Sequence, residues 1–355
     1  MSKTARVNAL MQALPGSVDF ILFYFICFNL NMDLEYLLFL QKIRLSAPDI
    51  VVQFFELVSG LGFVLFIPIL CYVYLCGKKE DATLAIWSVG FALLFNGLLK
   101  QIFCIYRPWI RDPRIVPPEN ALAGATGYSF PSGHSTNAAA YLGALAWQNR
   151  RRIVLASCLF VLILLVCFSR NFLGVHTPQD VILGFTCGML SIPLAWFVLK
   201  WEKNGKNRDF VILGVSILVV AVYLAYITFK SYPLDYDAEG KLLVDPQKMA
   251  LDSWSNGGLF IGVVLGWLLE KRFVKFQAPA SALIGLCRFI VGFGGVLGLK
   301  HCKEFFCTLF TDPWGCFVTR FITIIFLIFI FPAIFTAIEN GFVKKKEAVD
   351  EQPQD

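Results

Sequence analysis

Residues 153–168 read IVLASCLFVLILLVCF, and residues 169–180 follow at once as SRNFLGVHTPQD. Sixteen residues without a charge approach the ~20 needed to cross a bilayer, and dense polar chemistry sits at their end. Lipid offers the backbone no hydrogen-bonding partner, so such a run is a helix; the period-two alternation of a membrane barrel is absent. Comparable runs occur at about 57–76, 84–104, 133–149, 178–199, 209–230, 256–270, 281–299 and 318–340. The whole chain agrees: of 355 residues 57% are apolar and 16% charged, with a mean hydropathy of +0.66. That excludes a disordered chain, a coiled coil and an ordinary cytosolic enzyme. The net charge of +6 is spread between apolar runs instead of forming one stripe, so no nucleic-acid partner is expected. The expected fold class is all-α, a polytopic membrane helical bundle of about nine transmembrane helices.

Basic residues in alternate connections set the expected orientation. One set holds Lys78, Lys79, Arg150, Arg151, Arg152, Lys200, Lys203, Lys206, Arg208, Lys271, Arg272, Lys275, Lys344, Lys345 and Lys346. The other holds Arg107, Arg111, Arg114, Arg170, Lys230, Lys241, Lys248, Lys300 and Lys303. Fifteen cations against nine place the first set in the cytoplasm and the second on the outward face. Residues 1–32 read as an N-terminal extension in which 18–30 is an extra span or an interfacial helix. Residues 33–55 mix Leu and Phe with Glu35, Lys42, Arg44 and Asp49, the pattern of an interfacial amphipathic helix. Residues 344–355 read as a disordered charged tail, and 231–255 as a polar outward connector.

Charges at span ends are expensive and mark three places. Asn96, Lys100 and Arg107 fall near one helical face, with Pro108 ending the helix at Arg107; snorkelling to lipid headgroups is the competing explanation. Pro131-Ser132-Gly133-His134 opens the next span, leaving free amides at a helix N-terminus, a ready anion site. His134, Asn137 and Tyr141 continue down one face. In the third cluster Thr177 reads as an N-cap with Pro178 at the first helical position. His176 and Asp180 stand four apart, so the carboxylate can fix the imidazole tautomer and free the other nitrogen to attack. Alternatively Asp180 only favours the helix N-terminus, which is worth roughly 0.3–1 kcal/mol. Topology brings all three clusters to the outward side. Three cations and free amides suit a phosphoryl group, whose transition state spreads charge over its oxygens.

These positions closely resemble the type 2 phosphatidic acid phosphatase superfamily, which includes lipid phosphate phosphatases and vanadium haloperoxidases. Its signature is filled by Lys100 with Arg107-Pro108, by Pro131 to His134, and by Ser169-Arg170 with His176 and Asp180. The resemblance spans residues 33–200, the amphipathic helix plus five spans, a six-helix phosphatase core. Residues 201–343 are additional spans without an assigned role. It implies that His176 attacks phosphorus to give a phosphohistidine, Asp180 orients it, and His134 protonates the leaving alkoxide and then activates water. Lys100, Arg107, Arg170, Ser132 and the Gly133 amide hold the phosphate. No metal and no other cofactor is expected.

The implied substrate is a phosphate or diphosphate on a lipid: phosphatidate, phosphatidylglycerol phosphate, a sphingoid-base phosphate or a polyprenyl diphosphate. Alternatives are a lipid phosphotransferase using the same intermediate, a soluble sugar-phosphate phosphatase, and a transporter or scaffold with a vestigial site. Trp109, Tyr128 and Phe130 line the headgroup entrance or anchor the interface. Cys302, Cys307 and Cys316 share an outward loop where one pair can form a disulfide. Arg288 is expected to snorkel to the cytoplasmic side. The expected location is a bacterial plasma membrane with the site outward, or alternatively the endoplasmic reticulum with a lumenal site. The oligomeric state stays open.

Overall fold

The computed structural model describes residues 32–350 apart from 238 and 280, with side chains as far as residue 341. The expected extra or interfacial helix at 18–30 lies outside the described residues, as do 351–355. Among the described residues fifteen α-helices succeed one another: α1 (Met32–Ser46), α2 (Asp49–Leu61), α3 (Phe66–Cys76), α4 (Lys79–Phe103), α5 (Pro108–Arg111), α6 (Glu119–Ala123), α7 (Gly133–Gln148), α8 (Ile153–Phe172), α9 (Pro178–Lys203), α10 (Arg208–Phe229), α11 (Pro246–Leu269), α12 (Ala282–His301), α13 (Lys303–Phe310), α14 (Asp312–Ile325) and α15 (Phe331–Asp350). Single π-helical turns join Leu269 to Lys275 and α14 to α15. Among the described residues there is one isolated β-bridge, Tyr236 with Leu242, and no strand.

The all-α expectation agrees with this architecture; the count of nine spans is not confirmed by it. Among the described residues six stretches are long and apolar enough to cross a membrane, or seven if α2 and α3 form one span bent by 48°. The expected spans at 133–149 and 256–270 are absent from these for different reasons. Helix α7 has 16 residues, short of a bilayer, and is enclosed by other helices from Ser135 to Leu145. Helix α11 begins ten residues earlier than its apolar run, and its first turns carry Asp252, Ser253, Ser255 and Asn256. The connector expected over 231–255 is therefore helical from Pro246 onward.

Three further expectations change. The amphipathic segment at 33–55 is two helices, broken before Pro48, which restricts the residue ahead of it. Residues 344–350 continue α15, because Lys, Glu and Ala favour extension of a helix already formed. Arg288 does not snorkel: it donates to both Glu339 carboxylate oxygens at 2.9 and 2.5 Å, and to the Gln277 carbonyl at 2.9 Å. Cys302, Cys307 and Cys316 are free thiols.

Glycines set how closely the helices approach. A Cβ on Gly184 would lie 2.5 Å from the Ser132 carbonyl oxygen, and one on Gly188 would lie 2.4 Å from that of Thr136. These two, four apart on α9, let it lie against the α7 backbone, the small-residue device of membrane helix pairs. Gly258, Gly262 and Gly266 repeat the device on α11, where added Cβ atoms would meet Phe317 and Phe321 of α14 and Ile328 of the π-helical turn that follows it. At the opposite end from the polar clusters, ion pairs tie the halves together. Lys79 meets Glu270 at 2.9 Å, Arg272 meets Asp209 at 2.6 Å, and Lys271 pairs with Glu202.

Gly184→Val should separate α7 from α9 and lower the melting temperature in detergent, with an overpacking cost of about 1–3 kcal/mol. Gly214→Ala, where nothing lies within 4 Å, is the control. Equal melting of both variants would contradict this role for Gly184.

Candidate active site

Four chain segments end at one place: the C-terminus of α4, the loop 104–132, the C-terminus of α8, and the start of α9. Helix α9 is fixed by a capping box. The Thr177 hydroxyl accepts from the Asp180 amide at 3.4 Å, and the Asp180 carboxylate accepts from the Thr177 amide at 2.9 Å. The same Oδ2 accepts from Ser129 Oγ at 2.5 Å and faces His176 Nδ1 at 3.2 Å. The Asp180 carbonyl takes the Ser132 amide at 2.8 Å, so the start of α7 is docked on the start of α9.

His176 is fully enclosed, and Asn171 holds its carbonyl at 2.9 Å. Its Nε2 lies 2.8 Å from Arg107 Nη1. A guanidinium has only donors, so Nε2 is the acceptor and the ring proton sits on Nδ1, toward Asp180. Burial, then the positive charges of Arg107, Arg170 and Lys100, push the His176 imidazole well below its ordinary range. The ring is neutral with its lone pair on Nε2.

Arg107 does not continue α4, contrary to the expected shared face with Lys100. The helix stops at Phe103, Cys104 turns the chain with φ 49, and Arg107 precedes the short α5 in extended conformation. Its guanidinium is held by the carbonyls of Gly127, Val175 and Thr126 at 3.0, 3.0 and 3.1 Å. Lys100 Nζ donates to the Tyr128 and Ser129 carbonyls at 2.8 and 3.3 Å. Arg170 is buried; its Nη1 donates to Ser59 Oγ, while Nε and Nη2 have no partner among the described residues. Two buried donors of a cation left unmatched demand an acceptor from outside.

His134 sits in the first turn of α7, its ring centroid 5.4 Å from that of Phe63. The α2–α3 bend reaches it closely: a Cβ on Gly62 would lie 2.8 Å from the His134 carbonyl. Lys100, Arg107, Gly133, His134 and His176 line one cavity of about 340 Å³. Arg170 and Asp180 are buried, and Ser132 is buried with its hydroxyl accepting from Ser135 N and Oγ. Tyr128 and Phe130 are core residues, packed with Met249 and with Phe103, and do not line that cavity.

Sequence reading missed Ser129 and Ser59. Ser129 lies two residues before Pro131 and nothing in its surroundings distinguishes it. Ser59 belongs to an apolar helix, and its small polarity there was the available signal. Polar residues of α11 and α14 were missed as well, since Asp252, Arg320 and Thr319 reach the cavity only through packing.

Residues 81–205 match the PAP2 superfamily, and residues 254–343 match the PAP2 superfamily phosphatase, transmembrane extension. Both matches fall on the apolar helices described above and agree with a multi-pass membrane protein. Phosphatidylglycerophosphatase B of Bacillus subtilis is 32% identical over 121 residues, 32% of this chain and 55% of that protein. A putative undecaprenyl-diphosphatase, YbjG of Escherichia coli, is 30% identical over 118 residues, 33% of this chain and 56% of that protein. Lipid phosphate phosphatase delta of Arabidopsis thaliana is 22% identical over 273 residues, 69% of this chain and 61% of that protein. The chain spans about half the length of the first two relatives. The crystal structure of a transmembrane PAP2 type phosphatidylglycerolphosphate phosphatase from Bacillus subtilis, 24% identical, covers 54% of this chain and 97% of that one with a TM-score of 0.41.

Because folding lowers the affinity of His176 for a proton, the unfolded chain binds more protons below about pH 6.5. Stability from this group is thus present at neutral pH and declines as pH falls from 7 to 5. In detergent melts the wild type should lose more melting temperature over that interval than His176→Gln; parallel pH slopes would contradict the assignment.

Proposed function

We propose that this protein is a metal-independent phosphatase that hydrolyses a lipid phosphate or diphosphate through a phosphohistidine on His176. The observation that carries the reading is the set of neutral His176, oriented by Asp180, facing a cavity walled by Lys100 and Arg107. The Nε2 lone pair of His176 accepts from Arg107 at 2.8 Å and becomes available to attack as that guanidinium turns to the oxygens of an incoming anion, and cations held by carbonyls are placed before the anion arrives.

Each residue acts by its own chemistry. A phosphate entering the cavity offers oxygens to Arg107, Lys100 and the Gly133 amide, and supplies the acceptor that Arg170 lacks. Nε2 of His176 forms the N–P bond as the P–O bond to the lipid breaks, and Asp180 stabilises the cationic ring. His134 protonates the leaving alkoxide and then takes a proton from the water that cleaves the N–P bond. Ser129 and Thr177 hold Asp180 against rotation.

A lipid substrate is favoured by what adjoins the cavity. An apolar crevice lined by Phe66, Leu70, Ile86, Leu259 and Leu327 shares Ile67, Val296, Arg320 and Thr323 with the polar cavity. Its volume of about 50 Å³ admits the first carbons of an alkyl chain whose headgroup faces the histidines. The excess of basic residues at the opposite end supports a site facing away from the cytoplasm.

Purified protein in detergent should release orthophosphate from lipid phosphates in excess chelator, and vanadate should block it. His176→Ala should reduce turnover to background; retention of wild-type turnover would remove His176 from the role of nucleophile. In His134→Ala, labelled lipid phosphate should leave acid-labile, base-stable label on the protein, and no accumulation would exclude His134 from the second step.

A further inference from the structure

The cavity has a second wall, distant in sequence from the histidine clusters. Asn256 of α11, Lys300 of α12, Lys303 of α13 and Thr319, Arg320 and Thr323 of α14 build it. All six fall within the stretch that matches the transmembrane extension. Arg320 is the unusual member. It lies in a stretch apolar enough to cross a membrane, where a charge is costly unless partnered. Arg288, also on a long apolar helix, meets that requirement with Glu339. Among the described residues Arg320 has no hydrogen bond and no ion pair.

The charge around Arg320 is not balanced by the cavity itself. Asp252 is the one acid among the described residues lining it, and it is shared electrostatically by Lys248, Lys303, Arg320 and Lys100. Lys300 and Lys303 are exposed at the edge of the same wall. A single carboxylate facing that many cations leaves a positive wall in addition to the one formed by Lys100 and Arg107. The volume of about 340 Å³ also falls in the range of about 300–1,000 Å³ that holds a whole ligand headgroup, beyond one phosphoryl group.

We infer that Arg320, with Lys300 and Lys303, forms a second anion subsite that binds a further phosphate of the substrate headgroup. The inference rests on the lipid phosphatase reading above and narrows it: substrates with two phosphorus anions, joined as a diphosphate or through a glycerol, are preferred over a lone monoester. The scissile phosphate stays on the His176 side. The other phosphate meets the guanidinium of Arg320, and the Asn256 side-chain amide, which donates to the Leu93 carbonyl at 3.4 Å, has a second hydrogen to offer it. The transmembrane extension thereby sets selectivity without contributing to the bond-breaking step.

The test compares kcat/KM for phosphatidate, phosphatidylglycerol phosphate and a polyprenyl diphosphate in the same detergent, for wild type, Arg320→Gln, Arg320→Lys and Lys300→Gln/Lys303→Gln. Arg320→Gln should lower the ratio of the two-phosphate substrates to phosphatidate by about 10- to 100-fold, the worth of a charged hydrogen bond. Arg320→Lys should recover part of it. A ratio is insensitive to partial misfolding, and a ratio within twofold of wild type for both two-phosphate lipids overturns the subsite. A fall for only the diphosphate or only the glycerol-linked lipid identifies which spacing the subsite fits. If wild type releases phosphate from none of these lipids, the lipid phosphatase reading fails by itself. Calorimetric titration then tests the subsite separately: pyrophosphate should bind wild type more tightly than orthophosphate, and Arg320→Gln should erase at least tenfold of that preference. No preference in wild type overturns it.

Discussion

The Asp180 carboxylate is the joint on which the rest of the site depends. One oxygen accepts from the Thr177 amide, from Ser129 and from His176, while the backbone carbonyl of the same residue receives the Ser132 amide. That single residue therefore sets where α9 begins, which imidazole nitrogen carries the proton, and where α7 is docked. A buried carboxylate is costly to leave unmatched, so each of these groups is held to a narrow geometry. The close approach at Gly184 and Gly188 makes the docking sterically possible. Placement of the site and helix packing are consequently one problem here: the contact that seats α7 also positions His134.

Charge is the second organising constraint. A protein in a bilayer keeps ionisable groups away from lipid or pairs them, and this chain does both. Arg288 with Glu339, Arg272 with Asp209 and Lys79 with Glu270 are paired. Lys100 and Arg107 are instead held by carbonyls, and Arg170 retains two unmatched donors. Neutral acceptors position a cation without cancelling its charge, which leaves the field available to an incoming anion. The contrast between cations paired with carboxylates and cations held by carbonyls distinguishes structural from receptive positive charge.

The three clusters were legible in the sequence because each is local: a proline after Arg107, a serine-glycine helix start before His134, and a four-residue step from His176 to Asp180. Their convergence was also legible, since span counting puts all three on one side. The exact path was not. Arg107 was placed on the helix of Lys100, yet Cys104 takes a left-handed turn that no propensity forecasts for cysteine. Ser59 and Ser129 were invisible because a serine is unremarkable until a buried arginine or carboxylate is found beside it. The number of spans is not settled by hydropathy, which cannot separate a helix facing lipid from one such as α7 enclosed by protein; among the described residues six or seven stretches are long and apolar enough to cross.

The sequence by itself determined that the chain is a helical membrane protein and which eight residues gather at one face, because hydropathy and short-range spacing depend on neighbours along the chain. Only the tertiary structure decided what those residues face. The tautomer of His176 follows from Arg107, 69 residues away, and the hold on Arg170 from Ser59, 111 residues away. The second wall of the cavity, with Arg320, comes from helices packed against α4 through α11. Contacts between segments so far apart are set by which helix surfaces fit closely, and that information is distributed over glycines and core side chains instead of residing in any motif.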